Sequence, residues 1–267
     1  MKANVNVTIL GSGTCVPRLD RSSSALLVET GQARILMDLG RGTMNRLLTY
    51  GVTIFELTHI CLSHFHPDHT SELVPLLFAT KYPDGRARKQ PLHLIGGPGL
   101  ISFYQGLQAA YGRWIVLPEE QLEIHEIESS QTESLVFNDF SITTRGVNHG
   151  PESLAYRIQA GGISVVYSGD TDECDALAEL ARDADLFVCE ASMPDGQKVP
   201  GHLTPSLAGS MASKARARRL VLTHLYPPCD QVDIVKQAGS TYKGPVIKAE
   251  DLMTFRLQEG SESKETA

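Results

Sequence analysis

The sequence is poor in several features, and each scarcity excludes a class of protein. Its five cysteines (Cys15, Cys61, Cys174, Cys189 and Cys229) are scattered and odd in number, and none form a CxxC pair. A disulfide framework is therefore not expected. The thiols read as buried apolar side chains of a protein in a reducing cytoplasm. No apolar run approaches the roughly 18–20 residues of a spanning helix. The opening MKANVNVTILGSGT lacks the sustained apolar stretch of a signal peptide, so none is expected. Positive charge is in deficit, with 24 Lys+Arg against 31 Asp+Glu and a net charge of −7. That balance argues against a protein that grips nucleic acid by bulk charge. No repeat of fixed period and no composition shift marks a second domain. The 267 residues, 42% of them hydrophobic, suffice for a sizeable core and exclude wholesale disorder.

What is present is an alternation of strand and helix signals. VNVTIL reads as a strand ending in the Gly-Ser-Gly of residues 11–13. Residues 24–29 and 34–37 form a hairpin around Gly31. A helix over 43–50 stops at Gly51. A short buried strand over 58–63 runs into HFHPDHT. The spacing predicts a helix over 70–80 kinked at Pro75. In the polar turn that follows, Arg86, Arg88 and Lys89 read as solvated. PLHLIGG is a strand and 99–111 a helix. Residues 122–127 and 135–144 are strand-like, and 154–159 pairs with 163–168 around Gly161-Gly162. Then come a helix over 174–184, a strand over 185–190, a helix over 204–218, a strand over 220–224 and a helix over 230–240. Residues 246–257 close the fold. One domain over 1–259, of α/β or α+β class with layered sheets, is expected, with a disordered tail over 260–267.

The chemistry concentrates in His64-Phe65-His66-Pro67-Asp68-His69, an HxHxDH. In an extended segment the rings of His64 and His66 point to one side. Asp68 and His69 fall where a helix begins and can aim at the same point. Neutral imidazole and carboxylate suit Zn²⁺ and similar ions, and four donors so close suggest two adjacent metals. Further candidates sit at strand ends, where a rigid scaffold presents a site. They are His149 after SITTRGV, Asp170 after VVYSG and His224 after RLVLT. His59, His93 and His125 read as structural or exposed. The basic run Lys214 to Arg219 reads as a helix end favoured by the helix dipole.

The order HxHxDH, His149, Gly169-Asp170-Thr171 and Leu222-Thr223-His224 resembles the metallo-β-lactamase superfamily over nearly the whole chain. The segments GSGTCVPRLDRSSSALLVE, SGDT, CEAS, GHLTP and LTHLYP look like its ribonuclease Z-like branch. The resemblance implies an α/β fold, a single-domain four-layer αβ/βα sandwich with two zinc ions at one edge. Mn²⁺ or Fe would suit the same donors. It implies that His64, His66 and His149 hold one metal, that Asp68, His69 and His224 hold the other, and that Asp170 bridges them. A homodimer is the assembly it implies. Two divalent ions against two carboxylates and a bridging hydroxide leave a net charge of about +1, which favours an anionic ester. The hydroxide would be the nucleophile of a phosphodiesterase. By the same resemblance, His202 of GHLTP is the general acid, and Glu190 of CEAS holds its imidazole and raises its pKa. Asp68, His202 and Glu190 are thus the expected catalytic residues. Thr171 either bonds the bridging Asp170 or caps the following helix.

The chain departs from ribonuclease Z in the segments EASM, GHLTP and LTHLYP and, more tellingly, in one other place. That family carries a long tRNA-gripping arm between the third-His region and the GDT strand. Here His149 and Gly169 lie only twenty positions apart, and the segment between them fits one tight hairpin. The expectation is a cytoplasmic, dinuclear zinc hydrolase acting on a small anionic ester, such as a cyclic nucleotide or a sugar cyclic phosphate. RNA is disfavoured and no membrane is involved. A tRNA 3′-end endoribonuclease, an arylsulfatase-like hydrolase and a non-catalytic metal-binding module are the alternatives.

Overall fold

Period-two burial along the strands sets the layers. The computed structural model describes residues 4–81, 88 and 90–259, and the backbone of 264–266. One sheet has the order β15-β14-β1-β2-β3-β4-β5-β6. Its strands are β1 (Asn4–Gly11), β2 (Ala25–Thr30), β3 (Ala33–Met37), β4 (His59–Cys61), β5 (Leu92–Gly96), β6 (Leu122–Glu126), β14 (Thr254–Gln258) and β15 (Lys264–Thr266). The other has the order β13-β12-β11-β10-β9-β8-β7. It comprises β7 (Glu133–Val136), β8 (Ser141–Gly146), β9 (Leu154–Ala160), β10 (Ile163–Tyr167), β11 (Leu186–Glu190), β12 (Leu220–Thr223) and β13 (Val246–Lys248). Val5, Val7, Ile9, Leu26, Val28, Ile35 and Met37 of the first sheet meet Tyr156, Ile158, Val165 and Val188 of the second in one buried core. The alternate residues face outward. Leu27, Leu36 and Ile60 pack under α1 (Thr43–Tyr50), α2 (Pro67–Thr70), α3 (Leu73–Lys81) and α4 (Leu100–Tyr111). Val166, Phe187 and Leu222 pack under α5 (Asp175–Leu180), α6 (Pro205–Ala215) and α7 (Ile234–Gly239). The result is the expected single-domain, four-layer αβ/βα sandwich.

Several local expectations are corrected. Residues 135–144 are not one strand but the hairpin β7–β8, closed by Phe137 N–H donating to Phe140 O at 2.9 Å. The turn falls on Asn138-Asp139, residue types that favour it. The helix expected over 70–80 is split into α2 and α3, and the split falls before Pro75 and not at it. Pro75 lies in the first turn of α3, where its missing N–H would have had no partner within the helix. Arg88 is not solvated. Its guanidinium is buried and donates to Leu57 O at 2.6 Å and Ile54 O at 2.7 Å. Those carbonyls belong to a single 3-10 turn and its end, so the guanidinium satisfies acceptors that the chain leaves open. Burial lowers its pKa to about 10. Arg86 and Lys89 lie outside the described residues. The basic run after α6 pairs with carboxylates, Arg216 with Asp183 and Arg218 with Asp185, each at 2.8 Å. Within the tail read as disordered, Lys264–Thr266 run antiparallel to β14, whose edge offers unpaired backbone groups.

The parallel strands β3, β4 and β5 in one sheet, and β10, β11 and β12 in the other, end at the same rim. Ties across the core hold the sheets in register there. Leu154 N–H donates to Ser63 O at 2.8 Å, and the wholly buried Tyr156 hydroxyl donates to Leu62 O at 2.6 Å. No helix among the described residues is long and apolar enough to cross a membrane. Tyr156→Phe keeps the ring but strands a buried carbonyl. A loss of about 1–2 kcal/mol in unfolding free energy is expected, read as a lower urea midpoint with an unchanged slope.

Candidate metal centre

After β4 the chain stays extended as far as His66, whose φ and ψ are −62° and 147°. His64 and His66 therefore project to one side. Phe65 points to the other, where it stacks on Phe103 at 4.8 Å beside an apolar groove of about 790 Å³. Pro67 then opens α2, and one turn brings Asp68 and His69 round to the histidine side. A close approach fixes that turn, since a Cβ at Gly40 would lie 1.9 Å from the Asp68 carbonyl oxygen. The second sheet sends its residues from strand ends. His149 follows β8, Asp170 follows β10 and His224 follows β12. His224 has φ of +56°, a left-handed conformation costly for a residue with a Cβ.

These seven residues converge. Donor atoms of His64, His66, His149 and Asp170 form one group, and those of Asp68, His69 and His224 another. Asp170 Oδ2 is 3.3 Å from His69 Nε2, 3.4 Å from His224 Nε2 and 3.7 Å from His64 Nε2. His69 Nε2 faces His224 Nε2 at 3.3 Å, and His149 Nε2 faces His66 Nδ1 at 3.4 Å. The opposite ring nitrogens are anchored. His64 Nδ1 meets Ser63 Oγ at 3.0 Å, and His69 Nδ1 meets Asp38 Oδ2 at 2.7 Å. His149 Nδ1 meets Gly201 O at 2.9 Å, and His224 Nδ1 meets Ser192 Oγ at 3.0 Å. Ser63 and Ser192 each spend their own proton on a carboxylate, Asp38 and Glu190, so each accepts from the imidazole. Four rings are thereby held with Nδ1–H donating outward and Nε2 turned towards the centre.

That donor set fits divalent cations. His64 Nε2 and Asp170 Oδ1 are buried and have no hydrogen-bond partner, an expensive condition unless something else binds them. Burial, with neighbouring His69, holds His64 neutral by lowering its pKa to about 2, which leaves that lone pair available. Burial opposes charge on His69, yet the flanking carboxylates Asp170 and Asp38 win and hold it well above the ordinary histidine range. Burial likewise opposes ionisation of Asp170, but His224 and His69 keep it a carboxylate. The cluster recruits positive charge, and imidazole nitrogens with carboxylates are the donors Zn²⁺ prefers.

His202 and Glu190 border this cluster. Glu190 is fully buried. Its Oε1 accepts from Thr171 N–H at 2.7 Å and from His202 Nδ1 at 3.0 Å, and its Oε2 from Ser192 Oγ at 2.7 Å and Leu203 N–H at 3.2 Å. His202 is 3.9 Å from Asp170 Oδ2 and stacks on His224. Thr171 does neither of the two things expected of its hydroxyl. Its Oγ1 donates to Asp172 O at 2.7 Å and accepts from Asn148 N–H at 3.2 Å, which steadies the turn into His149. Sequence reasoning missed Asp38 and Ser192. The signal for Asp38 was its place at the end of a strand parallel to the one that delivers the histidines. Ser192 carried none beyond lying two residues past Glu190.

A family model described as the beta-lactamase superfamily domain matches residues 33–225. The chain belongs to the beta-lactamase superfamily. Other members resemble it end to end. A ribonuclease Z of Mycobacterium bovis is 30% identical over 93% of this chain and 96% of its own. An uncharacterized protein of Mycobacterium tuberculosis is 33% identical over 91% of this chain and 89% of its own. Among solved structures, the metallo-beta-lactamase fold protein YhfI of Bacillus subtilis superposes with a TM-score of 0.81 at 26% identity, over 96% of this chain and 100% of its own. The superfamily fold thus spans the whole sandwich, and the donor clusters sit at its strand-end rim. In this superfamily member, Asp38→Asn removes the charge that fixes the His69 tautomer while keeping the shape. We expect zinc affinity to fall about 10–100-fold, measured by competition with a chromogenic chelator. Unchanged affinity would show that the Asp38–His69 bond does not tune the metal.

Proposed function

We propose that the protein is a metal-dependent phosphodiesterase for a small phosphodiester, such as a cyclic nucleotide or a sugar cyclic phosphate, with zinc as its metal. The observation that carries this reading is the gathering of five histidines and two aspartates at one rim, their lone pairs turned inward, beside the His202–Glu190 pair. Five free cysteines support a reducing, cytoplasmic setting.

His64, His66 and His149 would hold one ion, Asp68, His69 and His224 the second, and Asp170 would bridge. Such ions, when bound, supply Lewis acidity towards the phosphoryl oxygens and an activated water at neutral pH. The chain's own residues provide the rest. Asp68 and Asp170 offset only part of the cationic charge, so the rim stays attractive to an anion. Glu190 fixes His202 through Nδ1, which leaves Nε2 as the working end of the ring. Burial disfavours the imidazolium, but the hydrogen bond and charge of Glu190 outweigh it and raise the pKa above the ordinary value. His202 therefore delivers its Nε2 proton to the departing alkoxide as the phosphorus–oxygen bond breaks and water oxygen joins phosphorus. The break leaves a free hydroxyl and a phosphomonoester, both on one molecule when the ester is cyclic and on two when it is open-chain.

Substrate size rests on the hairpin. β9 and β10 are joined by Gly161-Gly162 alone between registered Ala160 and Ile163, so the segment after His149 builds no arm to embrace a tRNA. The net charge of −7 points the same way. A tRNA 3′-end endoribonuclease is the second reading, favoured by the likeness to the Mycobacterium bovis ribonuclease Z.

Two assays separate these readings. Bis(p-nitrophenyl) phosphate and cyclic nucleotides should be hydrolysed while pre-tRNA is left intact. Cleavage of pre-tRNA alone would establish the second. For His202→Ala, bound metal should stay constant while turnover of alkyl esters drops about 10²–10⁴-fold. The nitrophenyl ester should lose far less, because nitrophenolate leaves without a proton. Equal losses on both esters would remove the acid role.

A further inference from the structure

Three histidines stay outside the centre described above, and they gather on the neighbouring strands β4, β5 and β6. His59 begins β4, His93 lies on β5, and His125 lies on β6 with Glu123. In register, His59 faces His93 and His93 faces Glu123, while His125 pairs with Ile95. Side chains two apart on a strand share a face, so Glu123 and His125 are the opposite and diagonal neighbours of His93. His59 precedes His64 by five residues, about 16 Å of chain at strand rise, on the strand that leads to the first centre.

From these contacts we propose an accessory divalent metal site, of zinc class, held by His93 Nδ1, Glu123 Oε2 and His125 Nε2, with water completing the coordination. The three atoms are 3.1, 3.2 and 3.8 Å apart. Tetrahedral zinc with bonds of about 2.0–2.1 Å places its ligands about 3.3–3.4 Å apart. These separations bracket that value, and the three atoms form one of the groups able to share an ion. Hydrogen bonding serves the trio less well. A proton on His93 Nδ1 cannot be aimed at both Glu123 and His125, and without it two lone-pair atoms face each other at 3.2 Å. An ion satisfies all three at once.

The surroundings hold the trio ready. His93 stacks on the buried His59, ring centroids 4.6 Å apart and planes within 15°, and meets the edge of Phe137 at 5.5 Å. Glu123 and His125 are partly exposed, which gives the ion a way in and leaves a position for water. β6 is the outer strand of its sheet, so an ion there fastens an edge strand to its neighbour.

The site is independent of the proposed activity, and its test reads metal rather than turnover. The full chain is stripped with chelator, reloaded with excess Zn²⁺, desalted and analysed for zinc. The His93→Ala/His125→Ala variant should hold one equivalent less per chain than the natural protein, and the near-isosteric Glu123→Gln should lose the same equivalent more readily on dilution. Hydrolysis of bis(p-nitrophenyl) phosphate should be unaffected in both. Because substitution at β5 can disturb folding, the deciding measurement needs no variant. Zinc-soaked crystals of the natural protein should give an anomalous peak between His93 Nδ1 and His125 Nε2 at the zinc edge. A map with peaks at the first centre and none here overturns the proposal, whatever the variants do.

Discussion

The carboxylate of Asp38 is where the two sheets and the histidine segment are joined. It is fully buried, a placement that costs several kcal/mol unless the charge is paired and hydrogen-bonded. Ser63 N–H and Oγ each donate to it at 2.7 Å, His69 Nδ1 at 2.7 Å and the Tyr167 hydroxyl at 2.8 Å. These donors come from the end of β4, from α2 and from β10 in the opposite sheet. No one of them can move without stranding a buried charge, so sheet spacing, the path of the histidine segment and the tautomer of His69 are fixed together. Asp38 sits at φ of +54°. A left-handed aspartate costs about 1 kcal/mol, and it persists because four bonds determine its position.

Glu190 repeats this arrangement in the second sheet. It too is buried at a strand end, and through Ser192 it reaches His224 as Asp38 reaches His64 through Ser63. An imidazole offers two nearly equivalent tautomers, and a carboxylate or carbonyl behind Nδ1 removes the choice. Each carboxylate serves two rings, one directly and one through a serine. For His224, Glu190 works through the serine hydroxyl and leaves Nε2 turned towards the centre. For His202 the contact is direct, at 3.0 Å, and the full negative charge stabilises the protonated ring. One carboxylate thus orients two neighbouring histidines, 5.6 Å apart and nearly parallel, by two different contacts.

What was legible in the sequence follows from the range of the interactions. HxHxDH is local, so six residues state both the extended stretch and the turn that folds Asp68 and His69 back. His149, Asp170 and His224 could be placed because strand signals end beside them. The hairpin around Gly161-Gly162 and the stop at Gly51 are likewise local. Asp38 and Ser192 were not legible, since their roles depend on partners 129 and 32 residues away in the chain. Arg88 misled for the same reason. A basic residue in a polar stretch looks solvated until the carbonyls of residues 54 and 57 are known to need it. The break between α2 and α3 escaped because apolar spacing continues across it, while Glu72 turns aside to accept from Gly42 N–H and Met44 N–H, both at 2.6 Å, at the start of α1.

The histidines also change the meaning of the acidic balance. All nine belong to one of two clusters, and His59 of β4 and His64 just beyond it belong to different ones. At the rim they stand with Asp68, Asp170, Asp38 and Glu190, a concentration of negative charge and lone pairs that would repel a phosphate. Histidine is what makes the arrangement consistent. It contributes donors without adding anionic charge, so divalent ions can outweigh the two carboxylates that touch them. Lysine or arginine at the same positions would offer a fixed cation and no lone pair, and would compete with metal instead of binding it. A chain with a surplus of acids can therefore attract an anionic ester at one rim, provided the positive charge is borrowed from ions and confined to a place a small substrate can enter.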